Sequence, residues 1–192
     1  MISAEQAAKD LALGAVGVIP TDTVYGIVCS AANPIAVARL YAIKNRHGKP
    51  GTLIAASVEQ LESLGIPKRY LYGAQQYWPN SISVVIPTVP ELQYLDDGVG
   101  TIAVRVPRNQ ELAALLEVSG PLLTSSANTP GNHPANTVQE AEDYFKGRVD
   151  FYLDGGDLTG NEASTIIRIV DDSVEVLRQG AVHINDAGEI TP

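Results

Sequence analysis

The sequence predicts an α/β (α+β) fold built as one domain around a mixed sheet. Three observations carry this. Short β-branched or apolar runs are bounded by Pro and Gly; segments with helical spacing, opened by capping residues, lie between them; and 45 % of the 192 residues are apolar, enough for one sizeable core. The last two strands are joined only by the short turn Asp171, Asp172, Ser173, so that pair is antiparallel and the sheet is mixed.

Each element has a local cause. Ser3 with Gln6 makes a capping box ahead of an Ala/Leu-rich segment that Gly14 can close, which predicts a helix over about residues 4 to 13. Val16 to Ile19 is a short strand ended by Pro20, and Val24 to Ala31 resumes as a second after the polar Thr21, Asp22, Thr23. Asn33 and Pro34 are an N-cap and N1 pair for a helix that ends at Lys44. Leu53 to Ala56 reads as strand, and Ser57 with Gln60 caps a short helix. Ile82 to Ile86 and Ile102 to Val106 are β-branched strands. Asn109 opens a helix with Leu112, Leu115 and Leu116 on one face, Leu122 to Thr124 is a strand, and Thr137 with Glu140 caps a helix through about Phe145. Phe151 to Leu153, Thr165 to Val170 and Val174 to Leu177 complete the strands. Residues 1–184 form the domain and 185–192 a short tail, which is expected to fray after His183.

Composition excludes several function classes. The longest apolar runs fall short of a membrane span, and no charged n-region precedes an apolar h-region, so a cytoplasmic location away from membranes is expected. The single Cys29 lies in an apolar run, which leaves no disulfide and no multi-cysteine metal site. A net charge of -9 repels nucleic acid as a whole, so any contact with RNA needs a local basic patch. HExxH, GxxxxGK[ST] and GxGxxG patterns do not occur. His47, His133 and His183 lie in loops or the tail, where none is placed as a base for Ser125 or Ser126, so no covalent triad is expected.

Three features remain. Lys44, Arg46 and Lys49 cluster at and beyond a helix C-terminus; a solvated helix end accounts for them as well as a triphosphate does. Arg105 interrupts an apolar strand, on the face of Ala103 and opposite Ile102, Val104 and Val106, so it needs an anionic partner; a ligand carboxylate or phosphate is favoured over a buried protein ion pair. Thr124, Ser125, Ser126 and Asn128, like Gly155, Gly156, Ser164 and Thr165, place hydroxyls and amides at strand ends, where α/β sheets bind ligands; the plain alternative is a turn.

In order along the chain, Pro20 to Gly26, Lys44-Asn45-Arg46 with Lys49-Pro50, Trp78-Pro79, Thr101 through Arg105 with Pro107, Ser125 to Asn128 with Gly131 and Pro134, Asp154 to Gly156, Ser164-Thr165 and Leu177 to Gly180 resemble the YrdC family of threonylcarbamoyl-adenylate synthases in its short bacterial, TsaC-like form. The resemblance runs from Thr21 to Gly180, nearly the whole chain. It implies a twisted mixed sheet flanked by helices with a deep concave active site. The implied reaction turns L-threonine, bicarbonate or CO2, and ATP into threonylcarbamoyl-AMP and pyrophosphate, a nucleotidyl transfer that feeds t6A at tRNA position 37.

By the same resemblance Lys44, Arg46 and Lys49 hold the ATP phosphates, with Lys44, Arg46 and Arg105 as the catalytic charges. Thr23, Tyr25, Arg105 and Ser164 hold threonine and the carbamate, and Thr101, Ser125, Ser126, Asn128 and Arg178 complete the ATP site. Mg²⁺ is expected with ATP, and no organic cofactor. A downstream t6A transferase complex of TsaD, TsaB and TsaE-like proteins is the implied partner, with tRNA contacted weakly or indirectly. A carbamate oxygen attacking the α-phosphorus in line with departing pyrophosphate needs positioning and charge neutralisation, which suits a site without a nucleophile.

The chain departs from the family pattern at three places. Trp-Pro-Gly-Pro followed by Thr is replaced by Trp78, Pro79, Asn80, Ser81, Ile82, Ser83; Ala135 stands where many members have Ser, and Gln179 where many have Pro. A non-catalytic RNA-binding protein of the same fold is the alternative reading, disfavoured by the net charge of -9 and the intact Ser125 to Asn128 segment. A carbamoyl-phosphate-dependent transferase would need metal-binding motifs that do not occur, and a purely structural module leaves Arg105 unexplained.

Overall fold

The structure, a computed structural model, describes residues 2–45, 47–171 and 173–191. Arg46, assigned above to the ATP phosphates, and Asp172 of the predicted turn lie outside the described residues. The helices are α1 (Ala4–Ala12), α2 (Pro34–Lys44), α3 (Val58–Leu64), α4 (Lys68–Leu71), α5 (Gln110–Ser119) and α6 (Val138–Phe145). The strands are β1 (Val16–Pro20), β2 (Tyr25–Ser30), β3 (Thr52–Ile54), β4 (Ile82–Pro87), β5 (Thr101–Arg105), β6 (Leu122–Ser126), β7 (Phe151–Tyr152), β8 (Thr165–Val170), β9 (Ser173–Arg178), β10 (His183–Ile184) and β11 (Ile190–Thr191).

The capping residues do what their chemistry predicts. Ser3 Oγ accepts the Gln6 amide at 3.2 Å, Asn33 Oδ1 accepts Ile35 and Ala36 at 3.1 Å each, Ser57 Oγ accepts Gln60 at 3.3 Å, Asn109 Oδ1 accepts Leu112 at 2.9 Å and Thr137 Oγ1 accepts Glu140 at 3.3 Å. Each of these bonds satisfies an amide that the helix itself cannot.

Among the described residues one mixed sheet runs β7-β1-β2-β6-β3-β5-β4-β8-β9. The β1–β7, β3–β5 and β4–β8 pairs are parallel and the others antiparallel. Alternation sorts the side chains. Val18, Ile27, Leu53, Val84 and Val104 pack in one cluster with Val37 and Leu40 of α2 and Ala141 and Phe145 of α6. Ile19, Val28, Ile54 and Leu122 pack in another with Ala7, Ala8 and Leu11 of α1 and Leu112, Leu115 and Leu116 of α5. No helix among the described residues is long and apolar enough to cross a membrane.

The sequence reading differs from the structure in three places. The helix α4 and the 3₁₀ turns Gln75–Tyr77 and Pro90–Leu95 were not anticipated, being too short to leave a period in the sequence. Ser125 and Ser126, expected just beyond the end of the Leu122 to Thr124 strand, continue strand β6 and pair with Ile27 and Gly26. The segment after His183, expected to fray, forms the antiparallel pair β10–β11. It is anchored because Ile184 is buried, Gln179 Nε2 donates to the Ile184 carbonyl at 2.5 Å, and Tyr77 Oη donates to the Gly188 carbonyl at 3.1 Å.

Far from the cleft, Asp150 ties β7's approach to β1. One oxygen accepts the Val16 amide at 2.8 Å, and Arg39 Nη2 donates to the other at 2.9 Å. The Arg39 hydrogen bond is the main reason the Asp150 carboxyl lies below its ordinary value, with burial opposing it. A depressed folded value means that the stabilisation is present above the usual carboxylate range and is lost as pH falls through the folded value. Both side chains are about two-fifths exposed, so solvent screens the pair. Arg39→Met is therefore expected to cost at most about 1 kcal/mol at neutral pH. Urea melts of the two proteins should differ at pH 7 and converge at acid pH; a gap that widens in acid would contradict this.

Candidate functional site

The site begins with small residues in register. Gly26 pairs with Ser126, Thr124 with Thr52, and Thr52 with Ala103, which puts glycine, alanine and hydroxyl side chains side by side across four strands on one face of the sheet. A Cβ at Gly26 would meet Thr124 Oγ1 at 2.5 Å and Thr21 Cγ2 at 3.2 Å, and one at Gly51 would meet the Thr124 carbonyl at 2.6 Å. Small side chains here leave a concave floor. Above it opens a cleft, about 640 Å³ with the open solvent at its mouth included, lined by Thr21, Thr23, Tyr25, Arg105, Ser125, Ser126, Ser164 and Arg178.

Arg105 meets a protein anion, Asp22, where the sequence reading favoured a ligand carboxylate or phosphate. The Nη2–Oδ1 distance is 2.8 Å, with the two side chains 3 % and 4 % exposed. Asp22 stands on the turn between β1 and β2, and two strands, β6 and β3, separate β2 from β5 in the sheet. The turn therefore reaches across ~14 Å of sheet, which requires the sheet to curl. A buried guanidinium cannot stay without an anion, and the anion nearest in space is 83 residues away in sequence, where no local pattern records it. Arg105 Nη1 donates to Ser83 Oγ at 3.1 Å, and its Nε is buried with no hydrogen-bond partner.

Arg178, at the end of β9, donates to the Ser164 carbonyl from Nη2 at 2.7 Å and from Nε at 3.1 Å, and Ser164 Oγ accepts from Ser83 at 3.0 Å. Among the described residues no carboxylate pairs with Arg178. Burial, and then the like charge of Arg105, push its guanidinium below the ordinary value. A cation desolvated and repelled in this way is relieved by an anion entering the cleft.

A second cleft, of about 690 Å³, is lined by Lys44, His47, Lys49, Ser126, Asn128 and Gly131 and meets the first at Ser126. Lys44 is not a solvated helix end. It is 4 % exposed, and its Nζ donates to the Ser126 carbonyl at 2.7 Å, the Asn128 carbonyl at 2.6 Å and Asn128 Oδ1 at 2.7 Å. Asn128 is fixed further by Ser126 Oγ at 2.7 Å and by its own amide on the Asn132 carbonyl at 2.6 Å. Asn45 takes a left-handed conformation, φ 46°, which turns the chain out of α2. Lys49 is exposed at the rim of this cleft.

Of the residues named from sequence, Thr23, Tyr25, Arg105, Ser125, Ser126, Ser164 and Arg178 line the first cleft, and Lys44, Lys49, Ser126 and Asn128 the second. Thr101 lines neither. It shares the face of Arg105 but opens β5 at the other end, opposite Pro87, and four residues of strand put it ~13 Å away. The Tyr25 hydroxyl ties β2 to the loop after β7. Its Oη accepts the Gly155 amide at 2.8 Å and donates to the Gly156 carbonyl at 2.9 Å, while burial raises its value above that of a free phenol. The sequence reading missed Asp22 as a partner of Arg105, and Ser83 and Thr52 as parts of the site. Asp22 and Ser83 stood in segments already singled out, but nothing local shows which way they turn.

The family model for Sua5, YciO and YrdC proteins, described as telomere recombination, matches residues 9–180. A Pseudomonas fluorescens (strain Pf0-1) protein named threonylcarbamoyl-AMP synthase is 36 % identical over 168 residues, covering 85 % of this chain and 90 % of its own. A Pseudomonas syringae pv. syringae protein of the same name is 33 % identical over 180 residues, covering 92 % and 96 %. The crystal structure of Pyrococcus abyssi Sua5 complexed with L-threonine superposes with a TM-score of 0.81 at 29 % identity, over 93 % of this chain and 54 % of that one, so the chain spans about half of Sua5. With motif order, sheet topology and sequence in agreement, the chain belongs to the Sua5/YciO/YrdC family.

Proposed function

We propose that the chain is a threonylcarbamoyl-AMP synthase, a nucleotidyltransferase that converts L-threonine, bicarbonate or CO2, and ATP to threonylcarbamoyl-AMP and pyrophosphate for t6A biosynthesis. The observation that carries the reading is the meeting of two polar clefts at Ser126. One holds Arg105 and Arg178, matched to a carboxylate and a carbamate, and the other holds Lys44 and Lys49, matched to a polyphosphate. The P. abyssi Sua5 complex with L-threonine, and relatives named for the synthase, support it.

The chemistry follows from placement. The threonine amine, after losing a proton, adds to the carbon of CO2 and loses a second proton to give the carbamate. One carbamate oxygen then bonds to the α-phosphorus of ATP as the bond to the bridging oxygen of pyrophosphate breaks. In the first cleft Arg178, free of any protein carboxylate among the described residues, is the cation for the incoming anion, and Thr23, Ser125 and Ser164 supply hydroxyls around it. In the second, Lys49 at the rim meets the phosphates, and Lys44 holds the Ser126 to Asn128 segment against them; Arg46 is assigned to the phosphates by the family resemblance alone. Mg²⁺ arrives with the ATP phosphates as part of the substrate, and no organic cofactor is needed. The product passes to a downstream t6A transferase complex in the cytoplasm, with tRNA met at most weakly by this chain. The RNA-binding alternative is weakened because Arg105, one of the two arginines of the first cleft, is already neutralised by Asp22.

The test is pyrophosphate release by the purified protein with MgATP and bicarbonate, with and without L-threonine, alongside mass spectrometry of the nucleotides. Threonine-dependent pyrophosphate and a threonylcarbamoyl-AMP peak are expected. ATP turnover indifferent to threonine would refute the reading.

A further inference from the structure

Asp22 is held at two points. One carboxylate oxygen meets Arg105 Nη2 at 2.8 Å, and the other accepts a hydrogen bond from Ser81 Oγ at 2.8 Å. Ser81 is itself immobilised. Its amide donates to Asn80 Oδ1 at 3.0 Å and its carbonyl accepts the Thr165 amide at 3.1 Å, next to Ser164 of the cleft. Asp22 does not line the cleft, and both its oxygens are engaged, so it orients Arg105 and is not placed to take a proton from substrate.

The arithmetic of donors gives Ser81 a purpose. A guanidinium carries five N–H groups. The protein takes one Nη2 hydrogen for Asp22 and one Nη1 hydrogen for Ser83, while Nε has no partner. A carboxylate facing an arginine tends to close into a two-pronged contact, in which both oxygens take parallel N–H groups. Here the second oxygen takes the Ser81 hydroxyl, and Asp22 meets Arg105 through one prong only. We propose that Ser81 is a positioning residue: by holding Asp22 in a one-pronged contact it keeps the remaining donors of Arg105 available to the amino-acid substrate. The inference rests on the reading of the cleft as the threonine site. It also gives a role to the Asn80–Ser81 segment, where the chain departs from the proline that the family pattern carries and that has no hydroxyl to donate.

The experiment compares Ser81→Thr with Ser81→Val in the full chain. The two side chains have the same shape and differ by one hydroxyl, so an effect on folding common to both cancels. Steady-state pyrophosphate release is measured against threonine and, separately, against ATP, with a thermal melt of each protein. Ser81→Val is expected to raise the KM for threonine roughly 3- to 10-fold, the size of one lost hydrogen bond. The KM for ATP should stay within about twofold, and Ser81→Thr should behave as the wild type. The proposal is overturned if the two variants share the same threonine KM, or if valine raises both KM values together, which is what a general loosening of the segment would do. A wild-type protein that releases no threonine-dependent pyrophosphate overturns instead the functional reading on which the proposal rests.

Discussion

Asp22→Ala is expected to lower the stability of the fold by about 3–5 kcal/mol, because it strips the partner from a guanidinium that is 3 % exposed. For a chain of this size that is roughly 6–20 °C in the melting midpoint, read by calorimetry or by circular dichroism. The loss is not the worth of the ion pair; it is the penalty of leaving Arg105 charged, desolvated and without an anion. The double variant Asp22→Ala with Arg105→Met removes both charges and is expected to recover most of the stability, since a buried pair replaced by apolar groups is often neutral. The double variant stays inactive, as Arg105 faces the cleft. A single variant that melts within a degree of the wild type would show that Arg105 reaches water or another anion in solution. A double variant no more stable than the single would show that the pair itself, rather than the orphaned charge, holds the turn between β1 and β2 across the sheet.

This pair also marks the limit of what the sequence discloses. Helices α1, α2 and α6, and the start of α5, were legible to within a residue or so, because each carries its own N-cap and its own apolar face within a dozen residues. The strands around Arg105 were legible for the same reason, and alternation placed Arg105 on the face of Ala103. What alternation cannot give is the partner. Whether the anion facing Arg105 belongs to a ligand or to Asp22 depends on how far the sheet curls, which is set by the whole strand order. Thr101 shows a second limit of alternation: it shares both the strand and the face of Arg105, yet the rise of an extended strand sets it ~13 Å from Arg105, and it lines neither cleft. The segment after His183 misled in a third way. Two-residue strands leave no period, and the contacts that pin it, from Gln179 and Tyr77, come from residues with no evident tie to it in sequence.

Lys44→Met is expected to lower kcat/KM by about 10²–10³-fold, the usual cost of removing one charged donor from an anion-stabilising site. The loss should appear against threonine as well as against ATP. A protonated amine carries three hydrogens, and the Ser126 carbonyl, the Asn128 carbonyl and Asn128 Oδ1 lie within 2.7 Å of Lys44 Nζ. In this arrangement the ammonium is first a clamp on the segment that follows β6. That segment includes Ser126, the residue the two clefts share, so releasing it disturbs the amino-acid end and the phosphate end together. Methionine also takes the ammonium away from the Asn128 carbonyl and leaves the Ser126 carbonyl and Asn128 Oδ1 with one donor each, the Asn128 amide and Ser126 Oγ, which should cost about 1 kcal/mol of stability in a urea melt. Lys44→Arg keeps the charge but replaces a compact ammonium by a planar fork that three converging oxygens do not match, so it should restore stability better than activity. Pyrophosphate release measured at saturating ATP with varied threonine, and the reverse, separates the possibilities. If the methionine variant loses only its affinity for ATP and binds threonine as the wild type does, Lys44 leaves its protein oxygens when ATP enters and spends its charge on the phosphates. Equal losses at both ends mean that its charge acts through the shape of the Ser126 to Asn128 segment, and that the phosphates are neutralised from the rim, where Lys49 stands exposed.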